Sequence, residues 1–193
     1  YQFLGFFAYF ITKNMSKAWG KATAQPSSID PQRVYGFQLT PFNYSYAERD
    51  VMLYAASIGF GLDSPVSEDV LQSTYESNEN FGIFPSFAVL PPFRCITDVV
   101  TIPGLTFNPM MLLHGETEFF LHKKCSVIPT EGVLTTNGII STLQNKKSGC
   151  SIEITAKTYH NKDLFFTNIM TLFIRGLPQF QSPHNPLPSL ISL

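Results

Sequence analysis

The sequence predicts a domain of the α+β class, in which one amphipathic helix precedes an antiparallel sheet. Three observations lead to this class. A helical pattern with a capping signal occupies residues 45–58, and the chain from residue 112 onward is rich in β-branched and aromatic residues. The last three apolar runs are separated only by short turn signals, which join strands that pair antiparallel. A helix that lies apart from the strands in sequence indicates an α+β arrangement.

The composition is that of a folded protein with few charges. Of 193 residues, 44% are hydrophobic and 14% are charged, which excludes a disordered or acidic solvating segment. Thirteen Lys and Arg face fourteen Asp and Glu, so the basic excess of a nucleic-acid-binding protein is missing. No apolar run reaches the roughly 18 to 20 residues of a membrane span. We therefore expect that this domain does not bind nucleic acid and that it contains no membrane span.

Residues 1–40 are expected to form an extension and linker ahead of the domain. Tyr1–Ile11 is apolar and resembles the hydrophobic region of a signal peptide, although no basic stretch precedes it. Lysines at every fourth position of Lys13–Lys21 fit a short basic amphipathic helix. Three prolines punctuate residues 22–41, which is typical of a linker. Because the chain begins with Tyr rather than Met, we expect it to be a fragment.

The strongest helical signal covers residues 45–58. Ser45 is the predicted N-cap, and Glu48 three residues later completes a capping box. One apolar stripe follows at helical spacing: Val51, Tyr54, Ala55 and Ile58. Residues 62–80 are predicted to be a loop that contains a short helix.

Four segments have the composition of strands. They are Thr117–His122, Val133–Leu143, Ser151–Thr158 and Leu164–Ile174. Turn signals at Asn145–Gly149 and His160–Asp163 separate the last three, so these strands are predicted to form an antiparallel meander. Phe84–Pro92 is predicted to be a compact apolar turn segment, because its prolines exclude a long helix or a central strand. The domain is assigned to residues 41–176, and the Pro-rich tail 177–193 is predicted to be unstructured.

Several short motifs, in order along residues 40–176, resemble the 2-enoyl-CoA hydratase 2 family. This MaoC-like family includes the hydratase region of peroxisomal multifunctional enzyme type 2. The motifs are Phe42–Ala55, Tyr75–Glu76, Phe84–Val89, Ile102–Leu105, Leu113–Glu116, Asn145–Gly149 and Phe173–Gly176. The resemblance covers the N-terminal repeat of the family's hydratase. It implies one hot-dog fold of a tandem pair, in which this repeat is modified so that a long acyl tail can lie inside it.

The resemblance also implies that catalysis belongs to the other repeat, whose motif resembles Asn-Pro-Leu-His-x-Asp-Pro. Asn185–Leu187 reproduces three letters of this motif, but Pro188 follows and no Asp is present, so we interpret the match as coincidence. We therefore predict no catalytic residues in this chain. The expected partners are an acyl-CoA substrate and the C-terminal hot-dog repeat of the same enzyme, with a homodimer as a further option. No cofactor is implied, and the family implies a peroxisomal location.

Three substrate-binding residues carry over from the family's motifs. His114 and Gly115 match the His-Gly pair that contacts the bound hydroxyacyl-CoA, and Lys146 matches a turn lysine that meets the CoA moiety. A lysine on a turn can reach a phosphate as a mobile point charge. Two alternatives remain open. In the first, His114 lies at a β-bulge or turn and its ring is hydrogen-bonded to the backbone, without a role in binding. In the second, Lys146 is an ordinary exposed lysine, and Lys147 contacts CoA in its place.

No metal site is predicted. His114, Glu116 and His122 have side chains that can bind a metal, but residues two apart on a strand share a face only if the strand is regular. The three cysteines (Cys95, Cys125 and Cys150) are widely spaced, which favours buried thiols in a reducing compartment over a disulfide scaffold.

The sequence thus predicts the acyl-CoA-binding half of an (R)-specific enoyl-CoA hydratase, and whether the chain itself is an enzyme stays open. The alternative is a non-catalytic acyl-CoA-binding or assembly module that dimerises through its sheet edge. Four apolar residues either line an acyl tunnel or pack the core, and we favour core: Phe84, Phe87, Val89 and Leu90.

Overall fold

A computed structural model describes residues 26–61, 67–124 and 127–181 of the chain. Its main sheet is antiparallel and has five strands: β2 (Phe42–Tyr46), β4 (Leu112–Leu121), β5 (Gly132–Lys146), β6 (Gly149–His160) and β7 (Asp163–Arg175). Their order across the sheet is β2-β5-β6-β7-β4. Two short strands, β1 (Ser28–Ile29) and β3 (Leu105–Thr106), form a separate pair. This is the α+β architecture that the sequence predicts.

The helices are short and lie between β1 and β4 in the chain. The α-helices are α1 (Pro31–Val34), α2 (Glu48–Ser57), α3 (Glu68–Thr74) and α4 (Arg94–Asp98). The 3₁₀ turns are Pro85–Val89, Pro91–Phe93, Val99–Thr101 and Pro109–Met111. In the described part of the chain, no helix has the length and apolar character needed to cross a membrane. The helix α3 and the compact turns after Phe84 agree with the predictions for these segments.

The main helix begins two residues later than predicted. Ser45 lies inside β2 and pairs with Val133, so it is not the N-cap. The N-cap is Ala47, whose N–H donates to the Asp50 carboxylate over 2.9 Å. Pairing with β5 holds Phe42–Tyr46 in an extended conformation, and this long-range interaction outweighs the local capping signal.

The predicted three-strand meander is confirmed, with turns of two residues. Between β5 and β6, a Cβ at Gly149 would overlap the backbone carbonyl of Ile174 on β7, so this position requires glycine. Between β6 and β7, Asn161 adopts a left-handed conformation with φ of 55°, which asparagine tolerates well. These two local signals position three strands of 12 to 15 residues.

One face of the sheet, called here the inner face, carries most of the core. On β6 this face presents alternate buried residues: Cys150, Ile152, Ile154, Ala156 and Thr158. At the end of the sheet near the β5–β6 turn, α4 and the chain around β1 and β3 cover the inner face. At the opposite end, α2 and the 3₁₀ turn Pro85–Val89 cover it. The opposite, outer face carries the other alternate residues, such as Gln144 and Glu153.

The packed structure extends beyond residues 41–176 at both ends. Val34 and Leu39, which lie in the predicted linker, are 0% and 3% exposed, and Leu177 in the predicted tail is 4% exposed. The physical reason is local: the Asp30 side chain caps α1, and Pro31 at its first position is suited to a helix start. The backbone N–H of Leu39 then donates to the carbonyl of Gly138 on β5. The predicted features of residues 1–25 and 182–193 lie outside the described residues.

An aromatic cluster forms the core beneath Pro85–Val89. Phe87 is fully buried, and its ring centre lies 6.3 Å from that of Tyr44, 5.5 Å from that of Tyr46 and 5.6 Å from that of Tyr54. Edge-on and tilted contacts of this kind are favourable for aromatic pairs. Phe87 is therefore a core residue in this structure, which was the favoured interpretation of the sequence.

Two of the three cysteines are buried thiols. Cys95 and Cys150 are free and fully buried, whereas Cys125 lies outside the described residues. Burial raises the pKa of Cys95 to about 12 and the pKa of Cys150 to about 11. Both thiols therefore stay protonated at neutral pH, as expected of cysteines that act as small apolar residues.

Candidate functional site

The candidate site lies on β4, which is an edge strand of the sheet. On one side β4 pairs with β7, and on its other side no strand of the described chain is hydrogen-bonded to it. Large apolar residues on β4 and the turn before it are between 37% and 66% exposed: Met110, Met111, Leu113, Phe120 and Leu121. An edge strand of ten residues with exposed apolar side chains is a surface suited to pairing with another chain or domain.

The His-Gly pair predicted from the sequence forms a β-bulge in this edge. His114 pairs with Leu172 and Glu116 pairs with Thr171, so Gly115 is an extra residue without a partner on β7. A Cβ on Gly115 would lie only 3.3 Å from the carbonyl oxygen of Thr171. Glycine therefore allows the bulge to stay close to β7.

The bulge sets the direction of the His114 side chain. Because His114 and Thr117 pair with the buried residues Leu172 and Met170, both lie on the inner-face side of β4. Their side chains meet, with 2.7 Å between His114 Nε2 and Thr117 Oγ1. His114 thus lies at a β-bulge, as the alternative interpretation predicts, but the side chain of Thr117 forms the contact with one of its ring nitrogens.

The protein environment favours the neutral form of His114. Its side chain is exposed at the edge, yet the surrounding protein removes enough water to lower the pKa of His114 below its usual value. A hydrogen bond with the backbone of Glu116 offsets part of this effect. A neutral imidazole both donates and accepts a hydrogen bond, which suits contact with an uncharged carbonyl or hydroxyl group.

Lys146 lies apart from His114. It is the last residue of β5, it is exposed, and its Nζ donates to Gln144 Oε1 over 3.0 Å. Three strand spacings separate β5 from β4, which is about 14 Å. Lys146 also pairs with Gly149 on the outer side of the sheet, whereas Leu143 pairs with Ile152 on the inner side. The fold therefore does not bring His114 and Lys146 together within this chain.

The three residues considered as metal ligands do not converge. Glu116 pairs with Thr171 on the outer side of β4, opposite to His114, and His122 Nε2 lies 2.8 Å from Thr167 Oγ1. Within residues 26–61, 67–124 and 127–181, no group of three or more His, Cys, Asp or Glu side chains is arranged to hold a metal ion.

Asn168 on β7 is a polar residue near this site that no sequence motif indicates. It is fully buried and pairs with Phe119 of β4 and Ala156 of β6 on the inner face. Its Nδ2 donates to the carbonyl oxygen of Ala88 over 3.1 Å, whereas its Oδ1 has no hydrogen-bond partner among the residues that the structure describes. The signal was present: alternate inward positions of β7 are otherwise apolar, so a lone Asn among them is a candidate.

Comparisons with known proteins agree with this description. Residues 44–176 match the family model described as the MFE-2 hydratase 2 N-terminal domain. A relative named probable enoyl-CoA hydratase 2, from Dictyostelium discoideum, is 35% identical over 164 residues, covering 82% of this chain and 52% of that protein. Peroxisomal multifunctional enzyme type 2 from Mus musculus is 29% identical over 143 residues, covering 73% of this chain and 19% of that protein.

Solved structures give the same result for the fold. The crystal structure of a MaoC-like dehydratase from Phytophthora capsici superposes with a TM-score of 0.64 at 28% identity, covering 83% of this chain and 54% of that one. Full-length peroxisomal multifunctional enzyme type 2 from Drosophila melanogaster superposes with a TM-score of 0.56 at 23% identity, covering 79% of this chain and 26% of that one. The chain thus spans about half, or less, of these relatives. The hot-dog fold is confirmed, and the chain belongs to the family of MFE-2 hydratase 2 N-terminal domains.

Proposed function

We propose that this chain is the acyl-CoA-binding half of an (R)-specific 2-enoyl-CoA hydratase. The complete enzyme adds water to a trans-2-enoyl-CoA and forms a (3R)-3-hydroxyacyl-CoA. The observation that carries the proposal is the open edge of β4, where the His114–Gly115 bulge lies beside exposed apolar residues. The names of the relatives, enoyl-CoA hydratase 2 and peroxisomal multifunctional enzyme type 2, support this reaction and a peroxisomal location.

The proposed partner is a second hot-dog unit that pairs with β4. Free N–H and C=O groups on an edge strand readily accept another strand, and the exposed side chains of Leu113 and Phe120 would be buried with it. Pairing at this edge brings the partner next to His114. The substrate-binding histidine of this chain would then lie at the junction of the two units.

The two units would divide the reaction between them. Hydration needs a base that activates water and donors that stabilise the thioester enolate. By the family's pattern, Asp and His of the second unit activate the water. In this chain the neutral His114 and the backbone at Gly115 would contact the hydroxyacyl group.

Lys146 is the proposed contact for a CoA phosphate. Lys146 lies next to Gly149 and Arg175 on the neighbouring strands, at the end of the sheet where β4 begins at Leu112. Lys146 and His114 therefore lie near the same end of the sheet. CoA is a long and flexible ligand, and an extended molecule can link the edge at His114 with a cation that lies about 14 Å away across the strands and about 10 Å further along them. The outward direction of Lys146 means that CoA would pass around this end.

Reconstitution with a catalytic repeat tests the proposal. This chain would be mixed with the separately produced C-terminal repeat of a hydratase 2, and hydration of trans-2-decenoyl-CoA would be followed. We expect no turnover by this chain alone and turnover by the mixture. Leu113→Lys, on the edge, should weaken association at least tenfold, whereas the exposed control Val133→Lys on β5 should leave it unchanged.

Two results would contradict the proposal. Turnover by this chain alone would place catalysis within it. A stable homodimer that binds acyl-CoA but gives no activity with any catalytic repeat would favour the alternative, a non-catalytic binding module that dimerises through β4.

A further inference from the structure

Asn168 is an unusual residue for its position. All side chains next to it on the inner face are apolar: Ala156, Phe166, Met170 and Phe119. A carboxamide in such surroundings that leaves Oδ1 unpaired within the described residues costs stability. Apolar packing alone therefore does not explain why Asn occupies position 168.

The bond from Asn168 explains it better. The 3₁₀ turn Pro85–Val89 is called here the 3₁₀ segment, and it lies over β4 and β7. Its backbone hydrogen bonds are local, from Phe87 to Phe84 and from Leu90 to Phe87. Pro85 has no N–H to donate. Side chains therefore attach this segment to the rest of the fold.

The two sides of the 3₁₀ segment are attached differently. On the side of β2 and α2, Phe87 is buried in the aromatic cluster, and Tyr54 donates a hydrogen bond to Ser86 over 2.7 Å. On the side of β7, Asn168 donates to Ala88 over 3.1 Å. Phe87 thus anchors one side through burial. On the other side Ala88 is also buried in the core, and within the described residues the hydrogen bond from Asn168 is the polar contact that joins this side to β7. Loss of that bond would loosen the side over β4 and β7 while Phe87 stays buried.

We infer that Asn168 is a specificity-determining residue that holds the 3₁₀ segment closed over the inner face of β4 and β7 and so limits binding of long acyl tails. The inference rests on the proposed acyl-CoA binding at His114. Leu172, the partner of His114, is four residues from Asn168 along β7, which is about 14 Å. A four-carbon acyl group is far shorter than this distance, whereas a ten-carbon group approaches it. Only the long tail must displace the segment.

Binding of two unreactive ligands tests this role. Butyryl-CoA and decanoyl-CoA would be titrated into the wild-type chain and Asn168→Leu, with the catalytic repeat present. Removing the bond should raise the preference for decanoyl-CoA over butyryl-CoA by about two- to tenfold, the equivalent of one net hydrogen bond. Thr158→Val is the matched control, because Thr158 is equally buried on the inner face and bonds Thr136 instead of the 3₁₀ segment.

Hydrogen exchange provides a measurement without ligand. The Leu90 amide, which donates to Phe87, should exchange faster in Asn168→Leu than in the wild type and in Thr158→Val. Asn168→Ala is the second variant if the leucine disturbs folding. An unchanged ratio of the two affinities in a variant that still binds acyl-CoA would overturn this inference alone. Failure of the wild type to bind either ligand would overturn the proposed function, and this inference with it.

Discussion

Replacing Phe87 by alanine tests whether this residue is core, as the structure has it, or lining of a preformed acyl tunnel. The side chain is fully buried and contacts the rings of Tyr44, Tyr46 and Tyr54 at centroid distances of 5.5 to 6.3 Å. Truncating a buried Phe to Ala costs about 3–5 kcal/mol, because the transfer free energy is lost and a cavity remains. Since domains of this size unfold with about 5–15 kcal/mol, the variant would lose a large part of its stability.

The assay is urea denaturation followed by circular dichroism, with the free energy of unfolding taken from the linear extrapolation. Leu53→Ala on α2 is the control, because Leu53 belongs to the same helix as Tyr54 but is 65% exposed. That variant should change the free energy of unfolding by about 0.5 kcal/mol or less. The slope with urea should be the same for both variants, which shows that they unfold from the same compact state.

A small loss would refute this reasoning. If Phe87→Ala lowers the free energy of unfolding by less than about 1 kcal/mol, the ring does not fill the core. A simultaneous gain in decanoyl-CoA affinity would indicate that Phe87 lines a space already open to the acyl tail. The hydrogen bond from Asn168 would then not control access to that space.

Three further predictions follow from the same structure. Lys146→Ala should weaken CoA binding by about tenfold or less without changing the maximal rate of a reconstituted enzyme, because an exposed contact to phosphate contributes modestly; an effect of Lys147→Ala instead would move the contact by one residue. Gly149→Ala should destabilise the chain in urea by about 1 kcal/mol or more, because its Cβ would overlap the carbonyl of Ile174; an unchanged midpoint would contradict the turn geometry. The free energy of unfolding should fall as pH rises from 9 towards 11–12. Folding raises the pKa of Cys95 to about 12 and of Cys150 to about 11 from a usual value of 9.0, so the unfolded chain loses these protons first. A variant with alanine at both Cys95 and Cys150 should show a weaker dependence of stability on pH, and an unchanged dependence would contradict this reasoning.

The sheet was largely predictable because its central strands are joined by local signals. The turns before Gly149 and at Asn161 have residue types that few other conformations need, and they leave the three long strands only one simple pairing. The start of α2 was not predictable in the same way. Ser45 satisfies every local rule for an N-cap, but its backbone pairs with Val133, which is 88 positions away in the chain.

The sequence predicts where in the chain the candidate site lies, but not in which direction its side chains point. The motif around His114 and Gly115 indicated where a ligand would be bound, whereas the bulge and the pairing with β7 decide that His114 lies on the inner side of the edge. The same pairing pattern turns Lys146 to the outer side. Both results depend on register, because a shift of one residue moves a side chain to the opposite face of a sheet.

By itself, the sequence determined the α+β class, the meander and the family, because turn chemistry, strand composition and short motifs all act over a few neighbouring residues. Its motifs also predict His114, Gly115 and Lys146 as binding residues. Only the tertiary structure decided that residues 26–40 pack against the core, that Phe87 is buried among three tyrosines and that Asn168 donates to Ala88. These features join residues far apart in the chain. Such contacts depend on the final packing of the sheet against the segments that cover it, and no local pattern encodes that packing.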